Sequence, residues 1–192
     1  MADRVHLIAG LGNPGPEYAS HRHNIGFMVA DRLADRWRLG TLRSKFGALV
    51  GVGDFAGERV VLVKPQEYMN LSGQPVQRVA DFYQVPPTQV IVVHDEIDLE
   101  FGRLKVKVGG GHGGHNGLRS LAQNIGPAFI RVRCGVGHPG SKDRVVGHVL
   151  GTFSKAESAE VPLLIERAAD AVETLLKSGV QAAMNNFNQK DT

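Results

Sequence analysis

Hydrophobic positions along the chain fall into short apolar runs separated by stretches with helical spacing. Short apolar runs are typical of strands that are covered on both faces. Four such runs predict strands at residues 5–9, 48–53, 59–64 and 90–93. Apolar side chains at intervals of three and four residues predict amphipathic helices. Such stretches lie at residues 25–37, 72–83 and 154–179.

Two further segments alternate basic with apolar side chains. In residues 102–108 the basic positions include Lys105 and Lys107, and in residues 129–134 they are Arg131 and Arg133. Because successive side chains of a strand point to opposite faces, each segment predicts a half-buried strand with one basic face.

Residues typical of helix ends complete the prediction of the fold. Ser72 is expected to cap the second helix, Ser154 and Glu157 form a capping box, and Gly179 is a typical helix end. A C-terminal helical segment is therefore expected at about 154–188. The alternation of strands and helices predicts a single α/β domain over residues 1–192. Its expected form is a three-layer sandwich, in which a twisted, mostly parallel mixed sheet is flanked by helices and the basic strands add a mixed or antiparallel extension.

Composition narrows the class of protein. The chain has 192 residues, of which 42% are hydrophobic and 21% charged, as in ordinary globular proteins. No apolar run approaches the roughly 20 residues of a membrane span, and the N-terminus lacks the pattern of a signal peptide. With one cysteine, no internal disulfide is possible. A cytoplasmic protein without membrane association is the expectation.

The net charge of +3 is unevenly distributed. From Ser154 onward the chain carries four basic and six acidic residues, so the basic excess lies before that point. A mild basic bias favours a nucleic-acid partner only weakly.

The segment from Gly10 to Gly15 matches the dinucleotide-binding pattern G-x-G-x-x-G. That pattern requires a turn that leads directly into a helix, whereas Pro14 and Pro16 predict a rigid turn here. Nucleotide binding is therefore not favoured.

Polar residues follow three of the predicted strands, and they define a candidate crevice. Asn13 follows the first strand, Asn70 follows the third, and Asp95 follows the fourth, while His23 precedes the first helix. The carboxyl ends of parallel strands form the usual ligand-binding edge of such sheets. A histidine with a carboxylate partner is a minimal general-base pair. The alternative is that these residues serve as caps and turns.

Residues 109–117 form a glycine-rich loop that opens a helix, with six glycines and the histidines His112 and His115. Such a loop is expected to offer free amides to an anion or a carbonyl. A metal site that also uses His94, Asp95, Glu96 and Asp98 stays open as an alternative. Cys134 lies on the apolar side of its strand and is expected to be a core thiol, and no nucleophile-elbow motif occurs. Activated water is therefore the expected nucleophile of any hydrolysis.

Several motifs in this order resemble bacterial peptidyl-tRNA hydrolases. They are Gly10–Gly15 with Glu17-Tyr18, Arg22–Gly26, Lys64–Gly73, His94–Asp98, Gly109–Gly117 and Gly135–Gly140. The resemblance covers about residues 5 to 150 and is highly specific, whereas the acidic C-terminal helix carries no motif.

The resemblance implies a monomeric esterase that needs neither metal nor another cofactor. It would cleave the bond between a peptide and the terminal ribose of tRNA, binding the acceptor stem and 3′ end. His23 would be the general base, held in its basic form by Asp95, and Asn13 would distinguish N-blocked from free aminoacyl esters. Substrate-binding roles are implied for Tyr18, Tyr68, Asn70 and Asn116. A clamp for tRNA phosphates is implied for Lys105, Lys107 and Arg133.

Three alternatives remain open at this point. For the basic strand faces, the alternative to a phosphate clamp is a solvated surface. A metal-dependent hydrolase would use the histidine-rich loop, and a non-catalytic RNA-binding module would bind tRNA without cleaving it.

Overall fold

The computed structural model describes residues 4–189, whose strands join a single seven-stranded sheet. The strands are β1 (Val5–Gly10), β2 (Arg43–Lys45), β3 (Ala48–Phe55), β4 (Glu58–Pro65), β5 (Val90–Glu96), β6 (Leu104–Val108) and β7 (Ile130–Gly135). The helices are α1 (Ile25–Arg36), α2 (Gly73–Tyr83), α3 (Asn116–Ile125), α4 (Val145–Val149), α5 (Lys155–Ser178) and α6 (Val180–Phe187). The strand order in the sheet is β2-β3-β4-β1-β5-β7-β6.

The sheet is mixed, as predicted, with its three parallel pairs in the centre, but it is not mostly parallel, because the other three pairs are antiparallel. β1 pairs in parallel with β4 and β5, and β5 pairs in parallel with β7. Both edges are antiparallel, through β2–β3 and β3–β4 on one side and β6–β7 on the other. The two basic strands therefore form an antiparallel extension, one of the two arrangements that the sequence predicted.

Helices cover both faces of the sheet, which confirms the predicted α/β sandwich. Ile8 and Val93 belong to the core cluster that includes α1, α5 and α6. Leu7 and Val92, their neighbours along the same strands, belong to the cluster that includes α2 and α3. Because continuous apolar strands place side chains on both faces, the run in β5 needs this double cover.

The first helix lies unusually close to the central strands. A β-carbon on Gly26 would lie 2.4 Å from both the amide nitrogen of Leu11 and the carbonyl oxygen of Val93. Only glycine permits this approach, which fixes the start of α1 against the ends of β1 and β5.

Of the two helix caps predicted at N-termini, the cap of α5 is confirmed and the cap of α2 is wrong. The capping box of α5 is confirmed, because Ser154 Oγ accepts from the Glu157 amide at 3.1 Å and Glu157 Oε1 accepts from the Ser154 amide at 2.8 Å. The expected cap by Ser72 is wrong, because its hydroxyl donates to the Met69 carbonyl at 2.8 Å. Instead, Ser120 Oγ of α3 accepts from the Gly73 amide at 2.9 Å.

The acidic side chains of α5 pair with α1. The Arg36 guanidinium bonds the carboxylates of Glu166, Asp170 and Glu173, which lie at 2.6 to 2.9 Å. These carboxylates therefore join two helices on one face of the sheet. Across residues 4–189, none of the helices combines the length and apolarity that crossing a membrane would take.

Candidate active site

A cleft of about 650 Å³ opens at the carboxyl ends of β1 and β5, where the sequence placed its crevice. The predicted site residues that line it are Asn13, His23, Tyr68, Asn70, Asp95 and Asn116. An apolar wall comes from α4 and the residue after it, through Val145, Val146, Val149 and Leu150. The cleft thus combines polar groups with an apolar wall.

His23 and Asp95 form a direct pair at the base of this cleft. His23 lies in a 3-10 turn (Arg22–Asn24) that leads into α1, and Asp95 is the penultimate residue of β5. His23 Nδ1 is 2.7 Å from Asp95 Oδ2. Because the carboxylate accepts this bond, Nδ1 carries the proton and Nε2 is left with a free lone pair. Among the described residues, nothing hydrogen-bonds His23 Nε2.

The pair also sets the charges of its members. Burial acts to lower the pKa of His23, but the charge of Asp95 and the hydrogen bond to it outweigh burial and raise the pKa above 6.5. Burial would raise the pKa of Asp95, yet the electrostatic attraction of the His23 and His115 rings and the hydrogen bonds from both hold that pKa far below its ordinary value. Asp95 is thus a fixed anion that accepts hydrogen bonds from two imidazoles.

His115 is the functional-site residue that the sequence argument left without a role. It is the N-cap of α3, where its Nδ1 accepts the amides of Gly117 and Leu118 at 3.1 and 3.3 Å. Its Nε2 lies 2.7 Å from Asp95 Oδ1. In the sequence, its position between the glycine loop and the following helix indicates an N-cap. Histidine is an uncommon residue at that position.

Asn13 is held by a second residue that was not predicted, Asn24. Asn24 Oδ1 accepts from the Asn13 amide, and Asn24 Nδ2 donates to the Asn13 carbonyl, both at 2.9 Å. The side-chain oxygen of Asn13 accepts from the Met69 amide at 2.7 Å. These bonds fix the backbone and the oxygen of Asn13, and they leave its Nδ2 group available to a ligand in the cleft.

The remaining predicted binding residues surround the mouth of the cleft. Tyr68, Asn70 and Asn116 are exposed, Tyr68 to 59%. Tyr18 does not line the cleft itself, but its ring packs edge-on against Tyr68 with centroids 6.2 Å apart. Such exposure suits groups that contact a ligand rather than the core.

The glycine-rich loop is held by hydrogen bonds from Arg131. It also has fewer free amides than expected. Arg131 points from β7 toward this loop, is buried, and donates to the carbonyls of Gly110 and Gly111. The amides of Gly117 and Leu118 are occupied by His115. The expectation of free amides is therefore wrong at the start of α3.

The predicted phosphate clamp lies on a neighbouring surface outside the cleft. Lys105 is opposite Arg133 and Lys107 is opposite Arg131 in the β6–β7 register, so all four side chains share one face. Arg133 Nε donates to Glu96 Oε1 at 2.8 Å, and Glu96 also lines the cleft. Within residues 4–189, no ion pair involves Lys105 or Lys107.

His23, Asp95 and His115 also form the one group, within the described part of the chain, whose ligand atoms lie close enough for a metal, within 4.8 Å of one another. His115 fits a metal poorly. Its Nδ1 already accepts two amides, so its Nε2 holds the proton and has no lone pair to donate. Binding a metal there would require an imidazolate or the loss of the helix cap.

Two other sequence features are explained by packing. Cys134 is fully buried in the core, as predicted, and burial raises the pKa of its thiol. In the G-x-G-x-x-G segment, a β-carbon on Gly10 would lie 2.2 Å from the Gly26 carbonyl, and one on Gly12 would lie 2.6 Å from the Phe27 ring. These glycines therefore allow α1 to approach β1.

Comparisons of the sequence with known proteins agree with one another. The family model described as peptidyl-tRNA hydrolase matches residues 7–192. A Mycolicibacterium smegmatis protein named peptidyl-tRNA hydrolase is 53% identical over 186 residues, which cover 95% of this chain and 96% of that protein. A Geobacter sulfurreducens protein of the same name is 50% identical and is covered to 96%, as is this chain.

Solved structures give the same result. The crystal structure of peptidyl-tRNA hydrolase from Acinetobacter baumannii matches with a TM-score of 0.92 and 46% identity, covering 97% of this chain and 96% of that one. A purine nucleoside phosphorylase from Toxoplasma gondii, at a TM-score of 0.54 and 8% identity, is similar in fold alone.

Proposed function

Because the chain belongs to the peptidyl-tRNA hydrolase family, we propose that it hydrolyses the ester bond between a peptide, or an N-blocked amino acid, and tRNA. The observation that carries the proposal is the His23–Asp95 pair, whose 2.7 Å bond leaves His23 Nε2 unbonded in an open cleft. A nitrogen in that state is a general base that needs only a water molecule within reach.

In the proposed reaction, His23 Nε2 takes a proton from water as the water oxygen attacks the ester carbonyl carbon. The carbon–oxygen bond to the terminal ribose then breaks, and the departing ribose oxygen takes the proton from His23. The carboxylic acid that is formed loses the other proton of the water to solvent. The products are a peptide with a free carboxylate and an intact tRNA. Asp95 stabilises the imidazolium that exists between these steps, and it does not itself take a proton.

The side-chain amides of the cleft supply positioning. Asn13 Nδ2 is directed by the bonds that hold the rest of Asn13 in place. Asn70 and Asn116 are exposed in the same cleft and are assigned to hydrogen bonds with water and substrate. Tyr68, supported by Tyr18, is assigned to contacts with the 3′-terminal nucleotide or the peptide.

The body of the tRNA is assigned to the neighbouring basic face. Lys105, Lys107 and Arg133 share one side of the β6–β7 ribbon, which suits contacts to phosphates of the acceptor stem. Every group in this scheme comes from one copy of the chain, so we propose a monomer that requires no metal or other cofactor. We also propose that residues 1–192 form one domain, because helices from both halves pack on one sheet.

Hydrolysis of N-acetylated aminoacyl-tRNA by the purified protein, with and without chelator, tests the reaction. We expect turnover that does not change in EDTA. His23→Ala should lower kcat by roughly 10²- to 10⁴-fold, the usual contribution of general-base assistance, while tRNA binding is retained.

His6→Ala is the matched control. His6 lies at the start of β1, at the opposite end of the strand from the cleft, and pairs with Glu58. Its loss should leave kcat unchanged. Loss of activity in EDTA would support a metal-dependent hydrolase, and binding of tRNA without cleavage would support an RNA-binding module. Normal turnover by folded His23→Ala would refute the general-base assignment.

A further inference from the structure

We propose that His115 is a positioning residue that tunes the basicity of His23 through the carboxylate they share. The inference rests on the proposed function, since it concerns the same general base. It starts from the hydrogen bonds on the two sides of Asp95. His115 Nε2 and His23 Nδ1 each lie 2.7 Å from a different oxygen of that carboxylate.

The tautomer of His115 is fixed by the backbone of α3. A ring nitrogen that accepts an N–H bond holds a lone pair, and His115 Nδ1 accepts two of them, from Gly117 and Leu118. The single proton of the neutral ring is therefore on Nε2, where it is donated to Asp95. Protonating Nδ1 would break both amide bonds and place a cation at the positive end of the helix dipole. His115 is thus a neutral donor.

The hydrogen bond from His115 to Asp95 limits how far Asp95 raises the pKa of His23. Hydrogen bonding to the charged form of a carboxylate stabilises that charge and makes it a weaker partner for any further donor. Asp95 is buried to 1% exposure, so water does not compete for its oxygens. With His115 present, Asp95 raises the pKa of His23 less than an unshared carboxylate would. His23 therefore stays neutral, and able to accept a proton, at lower pH.

Other ionisable groups near the pair are the same in the native protein and in the variants. His94 packs against the His115 ring with centroids 5.2 Å apart, and burial lowers its pKa to about 3, so it is neutral. Arg22, which precedes His23, is paired with Glu157. The remaining charged or titratable side chains that line the cleft are Tyr68, Glu96, Asp98, His138 and Lys142.

Two substitutions separate the donor from the helix cap. His115→Ser keeps a side-chain oxygen that caps α3 but removes the donor to Asp95. His115→Gln removes the ring cap and supplies a long amide donor toward Asp95. We expect kcat of His115→Ser to rise with pH through a midpoint shifted upward on the order of 0.5 unit, a typical effect of a hydrogen bond to a carboxylate. His115→Gln should return the midpoint toward that of the native protein while lowering Tm.

Nuclear magnetic resonance of the His23 and His115 rings gives a readout that does not require turnover. In the native protein His115 should carry its proton on Nε2, and in His115→Ser the pKa of His23 should rise by the same amount as the kinetic midpoint. An unshifted His23 in folded His115→Ser, or a native His115 carrying its proton on Nδ1, would overturn the proposal. Absence of hydrolysis with the expected ring titrations would instead refute only the proposed function.

Discussion

At the scale of single residues, the cleft is organised by side chains that use one polar atom for the fold and leave another without a protein partner among the described residues. Asn13 gives its oxygen to the Met69 amide and keeps its Nδ2 for the cleft. His23 gives Nδ1 to Asp95 and keeps Nε2. Because the structural half of each residue is fixed, the functional half needs little further ordering when the substrate binds.

Asn13 is expected to control the choice between N-blocked and free aminoacyl-tRNA. An N-acyl substrate presents a neutral amide near the ester, whereas the free amine is largely charged and finds no anion on the Asn13 side chain. Asn13→Ala should therefore narrow the preference for N-blocked substrate, measured as the ratio of kcat/KM values.

Asn13→Asp sharpens this test. The aspartate retains an oxygen for the Met69 amide but replaces the donor with a charge. It should favour the free amine more than Asn13→Ala does. The same ratio in the native protein and in both variants would show that selectivity originates elsewhere.

At the scale of elements, the turn that carries His23 is tied to the wall of the cleft. Arg22 Nη1 donates to the His148 carbonyl in the last turn of α4 at 3.0 Å, and Nη2 donates to Glu157 in the first turn of α5 at 2.9 Å. The Arg22 amide also donates to the Gly151 carbonyl at 2.9 Å. His23 and the apolar wall are thus positioned by one arginine.

Glu157→Gln should weaken this connection without removing the α5 cap, because glutamine also serves at that position of a capping box. We expect kcat/KM to fall by up to about tenfold, the scale of one charge-assisted hydrogen bond. The loss should appear mainly in KM, since the wall lines the cleft and the His23–Asp95 bond remains.

Glu173→Gln is a closely matched control. Glu157 and Glu173 are both α5 carboxylates with 22% exposed side chains, and each pairs with an arginine from the N-terminal part of the chain. Glu173 binds Arg36 in α1 and does not line the cleft. Glu173→Gln should lower Tm and leave kcat/KM unchanged. Equal kinetic losses in the two variants would mean that the pairs only hold the helices together.

The sequence predicted the elements well where periodicity was long and poorly where local chemistry decided. The strands and the major helices follow from apolar patterns, and the meeting of His23 with Asp95 follows from the common edge of parallel strands. The three-residue strand β2, Arg43–Lys45, and the short helix α4 have no sustained pattern. The cap from Ser120 and the bonds from Arg131 join residues far apart in the chain, and no local spacing encodes them.

At the scale of the whole molecule, charge is sorted by face. The carboxylates of α5 are largely paired with α1, whereas the β6–β7 ribbon presents Lys105 and Lys107. The net charge of +3 conceals this separation. Sequence alone predicted the alternation on the basic strands, but it did not predict that Glu96 would engage Arg133 or that Arg131 would be buried.

Neutralising the basic face should weaken tRNA binding and leave the chemical step nearly intact. Lys105→Ala and Lys107→Ala should each raise KM for full-length peptidyl-tRNA and reduce the salt slope by about one unit for each phosphate that the variant no longer neutralises. A truncated ester without the tRNA body should be hydrolysed at the native rate. Arg133→Ala should affect both substrates, because it also leaves Glu96 in the cleft without its partner.

Lys45→Ala provides the control for a general charge effect. Lys45 is exposed on β2, at the opposite edge of the same sheet. It should leave KM and the salt slope unchanged. A solvated, non-binding ribbon would instead give Lys105→Ala and Lys45→Ala the same small effects in the salt series.

The strand order has a consequence for synthesis of the protein. β1 is made first, yet it lies between β4 and β5 and pairs with both. Pairings between residues far apart in sequence form slowly, and they require the later segment to have left the ribosome. The hydrogen bond between His23 and Asp95 therefore forms only after β5 has emerged and joined the sheet. Because β5 ends at Glu96, a growing copy of the chain lacks the His23–Asp95 pair until about half of its 192 residues have been made.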